Sequence, residues 1–165
     1  YYNHNLDSSE RFYPEVVTTR TYKERLNTLD AADKAGLKVC SGGILGLGEK
    51  KEDRISLIHT LAGRNPHPAS VPVNCLVPIE GTPFGEREKV PLFELVRFIA
   101  TLRIAMPASM IRLSAGRESL SKEGQALCFL AGANSIFQGN KLLTVQNRTV
   151  EEDKELMQEL GLKAR

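Results

Sequence analysis

The sequence predicts an α/β fold in which parallel strands and helices form part of a (β/α)8 TIM-type barrel. Five segments with helical periodicity alternate with five short segments rich in apolar or β-branched residues. This alternation favours parallel strands, because parallel neighbours need a crossover connection that is usually a helix. A doubly wound open sheet and a barrel both fit the alternation. Each of the first four strands also carries isolated polar residues, whereas strands buried on both faces of an open sheet are nearly all apolar. These isolated polar residues in the strands favour the barrel.

The predicted helices have clear local signals. In the helix predicted over 91–106, apolar residues recur at spacings of three and four, which gives this helix one buried stripe. Thr21 with Glu24, and Thr149 with Glu152, are spaced as capping boxes. Glycines follow most of the helices as C-terminal stops. The predicted helices are 22–35; 51–62, with Ile55, Ile58 and Leu61 facing inward; 91–106; 121–131; and 150–160.

The predicted strands lie in "YYNHNLD", "LKVCSGGI", "SVPVNCLV", "MIRLS" and "NSIF". Side chains alternate between the two faces of a strand, so Asn3, Asn5 and Asp7 fall on one face of the first. In the next three strands, apolar or small neighbours flank a single side chain: Cys40, Asn74 and Arg112 respectively. Barrel active sites collect side chains from several strands in this way. Five units make only about five-eighths of such a barrel, so we expect the chain to be the C-terminal part of a larger protein.

Composition excludes several classes of protein. The 165 residues suit one domain, and the net charge of +2 comes from dispersed basic residues, so nothing indicates binding to nucleic acid or to a membrane. No apolar run approaches the length of a membrane span, and no signal peptide is evident. The three cysteines are Cys40, Cys75 and Cys128. They do not form a disulfide framework, which favours a reducing compartment such as the cytoplasm or, in a eukaryote, the mitochondrial matrix.

The ordered segments resemble the biotin synthase family of radical S-adenosylmethionine (SAM) enzymes. The resemblance runs from "YYNHNLD" through "TTRTYKERL", "KVCSGGILGLGE", "SVPVNCLVPIEGTP" and "IRLSAGRE" to "AGANSIFQGNKLLT". It covers nearly the whole chain and corresponds to about strands four to eight of the family's barrel, including the biotin and thiamin synthesis associated C-terminal region. It implies a sulfurtransferase that inserts sulfur into dethiobiotin to form biotin. In the family, a 4Fe–4S cluster cleaves SAM to generate a radical, and a 2Fe–2S cluster supplies the sulfur.

The resemblance also implies roles for individual residues. Cys40 matches a cysteine ligand of the 2Fe–2S cluster, and Arg112 matches that cluster's unusual arginine ligand. The positions that match SAM contacts are Asn5, Asp7, Arg25, Ile44 and Val77; those on the substrate side are Asn3, Asn74 and Thr144. The site of Thr144 departs from the family pattern, because Val145 stands where a second threonine is usual. No residue of this chain is predicted to be catalytic in itself.

Each of these residues also has an ordinary structural explanation. An asparagine can cap a strand end or a turn, a cysteine can be a small core residue, and an arginine can lie solvated on a helix. The Gly-rich segment "CSGGILGLGE" lacks the phosphate-loop patterns and can be a plain strand-to-helix connection. We expect Cys128 to lie in a helix core and Cys75 to face the helical layer.

Two hypotheses of different classes follow. The family's C-x-x-x-C-x-x-C loop and the other 2Fe–2S cysteines do not occur in this sequence, so the N-terminal half of the barrel is expected elsewhere and the chain alone is expected to be inactive. In the first hypothesis the chain is part of a biotin synthase, which is commonly a homodimer. In the second it is a non-catalytic remnant that binds SAM weakly or only associates with a partner. The sequence upstream of Tyr1 would separate the two.

Overall fold

The computed structural model describes residues 1–139, 141–142, 145–146 and 148–163. In this part of the chain the helices are α1 (Tyr22–Lys34), α2 (Lys51–Ala62), α3 (Leu92–Ala105), α4 (Lys122–Leu130) and α5 (Val150–Glu159). The strands are β1 (Tyr2–Asn3), β2 (Val39–Cys40), β3 (Gly43–Leu45), β4 (Ser70–Cys75), β5 (Met110–Leu113), β6 (Ser135–Ile136), β7 (Lys141–Leu142) and β8 (Val145–Gln146). Short 3-10 turns lie at Tyr13–Glu15 and Arg117–Ser119. None of the described helices is both long enough and apolar enough to cross a bilayer.

The helix ends follow from local chemistry. The capping boxes predicted for α1 and α5 are confirmed. The amide of Glu24 donates to the Thr21 hydroxyl, and the Thr21 amide donates to the Glu24 carboxylate at 2.7 Å. Thr149 and Glu152 repeat the arrangement at the start of α5. Two of the four unpaired N–H groups at each helix start are thereby satisfied.

One predicted helix face is wrong. Ile55 was expected to face inward from α2, but its side chain is 56% exposed, whereas Ile58 and Leu61 are buried as predicted. The buried face of α2 is completed by Leu57. Each helical residue turns the chain by about 100°, which places Ile55 about 115° from the centre of the face formed by Leu57, Ile58 and Leu61, and therefore outside it. The spacing of apolar residues alone did not show whether Ile55 or Leu57 joins Ile58 and Leu61 on the buried face.

The first predicted strands are shorter than expected. Only Tyr2–Asn3 of "YYNHNLD" is a strand, although the amide of Leu6 still donates to the carbonyl of Gly42 at 3.0 Å. Asp7 has φ of 65°, so it leaves the extended conformation and the alternation of side chains ends there. Ser41 and Gly42 separate β2 from β3. A Cβ atom on Gly42 would lie 2.0 Å from the carbonyl oxygen of Pro72, so this close approach of two backbones requires glycine.

The main sheet is parallel and has the strand order β1-β2-β4-β5-β6, with β3 also paired to β4. Strands β7 and β8 form a separate antiparallel pair. One face of the main sheet packs on the helices, and its apolar side chains join theirs in a single core that includes Val39, Val71, Val73, Ile111 and Leu113. The predicted α/β fold of a partial (β/α)8 barrel is confirmed.

A buried ion pair attaches α5 to the rest of the fold. Arg117 donates from Nη1 to Asp153 Oδ1 at 2.5 Å and from Nη2 to Oδ2 at 3.0 Å. Arg117 also donates to Gln125 at 3.2 Å and to the carbonyl of Phe137 at 3.3 Å. The two charged side chains are 1% and 0% exposed. Within the described part of the chain, the guanidinium group of Arg117 thus links its own 3-10 turn to α4, to Phe137 and to α5.

Candidate functional site

The sheet has a second face, opposite the helices, which we call the polar face. Residues paired in a parallel ladder point to the same side, so the register assigns side chains to this face. Asn3, Cys40 and Ser70 form one row, Arg112 and Ser135 a second, and Ile44 and Asn74 a third. The rows share a face because Ser70 and Asn74 lie four residues apart on β4, and Arg112 is paired with Pro72 between them. Thiol, amide, guanidinium and hydroxyl groups thus project from five strands (β1, β2, β4, β5 and β6) onto the same face.

Cys40 lies at the end of β2, the strand next to the edge strand β1, and is 4% exposed. The register places the hydroxyl of Ser70 on the neighbouring strand beside it. That hydroxyl is buried and has no hydrogen-bond partner among the described residues. The other two cysteines lie elsewhere, since Cys75 is on the helix-facing side of β4 and Cys128 is fully buried in α4.

The side chain of Arg112 contacts one residue in β6 and the residue that follows β6. Its Nε donates to the Ser135 hydroxyl at 3.3 Å, and its guanidinium carbon lies 6.0 Å from the centre of the Phe137 ring. The side chain is half-buried. Arg112 forms no ion pair with a carboxylate in the described part of the chain, so its orientation is set by a hydroxyl and an aromatic ring.

Two of the candidate asparagines bond to the backbone. Asn74 donates from Nδ2 to the Gly43 carbonyl at 3.0 Å and accepts from the Ala115 amide at 3.3 Å. The Oδ1 of Asn5 accepts from the Gly42 amide at 3.1 Å. These contacts join neighbouring strand ends, as the ordinary structural explanation predicts. A carboxamide has two N–H groups and two acceptor positions, so each side chain keeps bonding capacity for a ligand.

Asp7 and Arg25 face each other above the strand ends. Arg25 Nη2 lies 3.2 Å from Asp7 Oδ2, and Arg25 Nε donates to the Tyr13 hydroxyl at 2.8 Å. Burial raises the pKa of the Asp7 carboxyl, and the positive charge of Arg25 acts against that rise. The two residues that were predicted separately for SAM therefore form one charged unit.

The Gly-rich segment is held by an acidic side chain. The Glu49 carboxylate accepts from the amides of Gly46 and Gly48 at 3.0–3.1 Å and pairs with Arg54 at 2.7 Å. The turn begins just after β3, which carries Ile44 on the polar face. Val77 follows β4 and is half-buried. Both apolar side chains thus lie at the ends of adjacent strands.

Thr144, predicted for the substrate side, lies outside the described residues. No group of three His, Cys, Asp or Glu side chains in the described residues is arranged to hold a metal ion. Sequence reasoning missed Tyr13, Ser70 and Ser135. The period-two pattern could have indicated the two serines, because they share faces with Cys40 and Arg112, but nothing local pointed to Tyr13.

The comparisons with known proteins agree with the resemblance. The model of the Biotin and Thiamin Synthesis associated domain matches residues 72–163. A biotin synthase of Parvibaculum lavamentivorans is 56% identical over 164 residues, which are 99% of this chain and 48% of the relative. A biotin synthase of Acinetobacter baumannii strain SDF is 59% identical over 164 residues, 99% of this chain and 50% of the relative. The chain spans about half the length of the curated relatives it matches.

Solved structures support the fold. A methylornithine synthase superposes with a TM-score of 0.77 at 24% identity, covering 99% of this chain and 52% of that one. The FeFe-hydrogenase maturase HydG from Carboxydothermus hydrogenoformans gives a TM-score of 0.78 at 20% identity, with coverage of 98% and 42%. At these identities the likeness concerns the fold alone. Because the family model covers more than half of the sequence, the chain belongs to the Biotin and Thiamin Synthesis associated domain family.

Proposed function

We propose that this chain is the C-terminal part of a biotin synthase barrel, which inserts sulfur into dethiobiotin by means of a SAM-derived radical. One observation carries the proposal: Cys40, Asn74 and Arg112 extend from three different strands of one parallel sheet onto its polar face. The 56–59% identity to biotin synthases over almost the entire chain supports it.

The polar face fits part of an iron–sulfur site. Iron–sulfur clusters are held by cysteine thiolates, usually four, and Cys40 is the cysteine of this sequence that lies on the polar face. The unpaired, buried Ser70 hydroxyl beside it is a polar atom that the described residues leave unsatisfied. We assign Cys40 and Arg112 to the 2Fe–2S cluster, which supplies the sulfur when bound. The remaining ligands, and those of the 4Fe–4S cluster, would come from the other half of the barrel.

The other residues bind and orient small molecules in this proposal. Asp7 would accept hydroxyl hydrogens of the SAM ribose, Arg25 would bind its carboxylate, and Ile44 and Val77 would contact its adenine, with Asn5 alongside. Asn3, Asn74 and Thr144 would contact dethiobiotin. Amides suit its neutral ureido ring because they can donate and accept hydrogen bonds together.

The test uses the longest native product that contains this sequence. After anaerobic iron–sulfur reconstitution, we expect it to convert dethiobiotin to biotin in the presence of SAM and a reductant. The isolated 165-residue chain is expected to form no biotin. Absence of conversion by the reconstituted long product would contradict the proposal and favour a non-catalytic remnant.

A matched pair of cysteine variants tests the cluster assignment. Cys40→Ala should lose the visible absorption of the 2Fe–2S cluster, because the variant removes the thiolate ligand. Cys128→Ala removes a thiol from the α4 core and should keep that absorption. Equal spectra for the two variants would contradict the assignment of Cys40.

A further inference from the structure

Tyr13 is a buried phenol that the sequence left without a role. It lies in the 3-10 turn that follows β1, and it is 1% exposed. Its ring packs edge-on against the ring of Tyr22, with centroids 5.4 Å apart and planes at 67°. This packing fixes the ring, and it leaves the hydroxyl at the place where Arg25 arrives from α1.

The contact with Tyr13 uses one edge of the Arg25 guanidinium. Nε and Nη2 form that edge of the planar group. Nε donates to the Tyr13 hydroxyl at 2.8 Å, and Nη2 lies 3.2 Å from Asp7 Oδ2. Nη1 forms no hydrogen bond or ion pair with a described residue. A guanidinium with one edge engaged can still bind a carboxylate through the other, in the bidentate geometry that arginine favours.

A flexible arginine loses rotamer freedom when it binds a ligand. Contacts that fix its orientation beforehand reduce that cost and raise affinity. Asp7 alone holds a single nitrogen and allows the guanidinium to rotate about that contact. The second contact, from Tyr13, defines the plane and therefore the direction of the remaining edge.

We propose that Tyr13 is a positioning residue, whose hydroxyl orients Arg25 so that its remaining edge receives the carboxylate of bound SAM. This inference rests on the proposed function and deepens it. It assigns to Tyr13 a part in recognising the amino-acid moiety of the ligand and none in recognising the nucleoside.

The test is the Tyr13→Phe variant of the longest native product, with Tyr22→Phe as the matched control. Each variant removes one hydroxyl from the Tyr13–Tyr22 ring pair. The Tyr22 hydroxyl, unlike that of Tyr13, forms no hydrogen bond with Arg25. Binding is measured by isothermal titration calorimetry on reconstituted protein without reductant or dethiobiotin, so no turnover occurs. The two ligands are SAM and 5′-methylthioadenosine, which lacks the amino-acid carboxylate.

We expect Tyr13→Phe to weaken SAM binding about tenfold, as for the loss of one hydrogen bond to a charged group. Its affinity for 5′-methylthioadenosine should stay unchanged, and Tyr22→Phe should change neither. Equal weakening of both ligands would indicate a merely structural role and overturn the inference. So would unchanged SAM affinity in a protein that binds SAM.

Arg25→Lys provides a second measurement if Tyr13→Phe does not fold. Lysine keeps the charge near Asp7 but lacks the planar fork, so it should show the same selective loss for SAM. Where both single variants fold, adding Tyr13→Phe to Arg25→Lys should weaken SAM binding no further, and additive losses would overturn the inference. If the unaltered protein binds neither ligand, the proposed function fails first and the inference fails with it.

Discussion

Replacing Asp153 with Asn should destabilise the fold strongly, because it removes the carboxylate from a buried guanidinium. Arg117 and Asp153 are 1% and 0% exposed and meet through two contacts, of 2.5 and 3.0 Å. Removing one partner of a buried ion pair typically costs about 3–5 kcal/mol. Asparagine keeps one acceptor oxygen but turns an NH2 group toward the cation, so we expect a loss within that range.

The control is Glu159→Gln on the same helix. Glu159 pairs with Lys122 at 2.6 Å, but these side chains are 55% and 44% exposed. Exposed pairs contribute little, because water screens the charges and ordering long side chains costs entropy. The free energy of unfolding is measured by urea denaturation of the longest native product, and hydrogen exchange of the α5 amides shows whether the loss is local. Equal, small effects of Asp153→Asn and Glu159→Gln would refute the reasoning that burial determines the strength of the first pair.

The remaining predictions concern acid stability, glycine and thiol reactivity. Burial tends to raise the pKa of Asp53, but the hydrogen bonds it accepts outweigh burial and hold that pKa below its ordinary value of 3.8. The folded state therefore binds fewer protons, and the stabilisation present above that value is lost as pH falls through the folded pKa. Asp53→Asn should lower the unfolding free energy at pH 7 and flatten its decline in acid; an unchanged acid decline would contradict this. Gly116→Ala should destabilise more than Gly81→Ala in urea denaturation. Both glycines have φ near 80°, but a Cβ at 116 would lie 2.7 Å from Cys75 and one at 81 would meet nothing within 4 Å. The positive φ costs each alanine variant roughly 1–2 kcal/mol. An equal loss of unfolding free energy in the two variants would therefore contradict the predicted clash with Cys75. Burial raises the pKa of Cys75 to about 12 and that of Cys128 to about 11. Because the thiolate is the nucleophile, both should resist iodoacetamide at pH 8 until urea unfolds the chain, as mass spectrometry would show; rapid labelling of the native protein would contradict this.

Helix positions were predictable because their signals are local. The capping boxes at Thr21 and Thr149 depend on residues three apart, and the structure has both. The inward face of α2 was less predictable, since it depends on what the helix packs against. Ile55 fits the helical spacing of apolar residues, but its side chain is exposed and does not pack in the core.

Candidate site residues were predictable in type but not in their contacts. The period-two pattern selected Cys40, Asn74 and Arg112, and the register puts them on one face. The sequence did not indicate that Asn74 would bridge two backbone groups. It also did not indicate that Arg25 would pair with Asp7, because those partners are distant in the chain or belong to the backbone.

By itself, the sequence determined the order of the five helices and of strands β1, β2, β4, β5 and β6, the capping boxes of α1 and α5, and the polar side chains offered by the first four of those strands. These depend on neighbours within a few residues, where spacing dictates which groups can meet. The tertiary structure alone decided the strand register, the break at Gly42 and the attachment of Arg25 to Tyr13. Each depends on how closely two distant segments approach, and that distance is set by packing of the whole core.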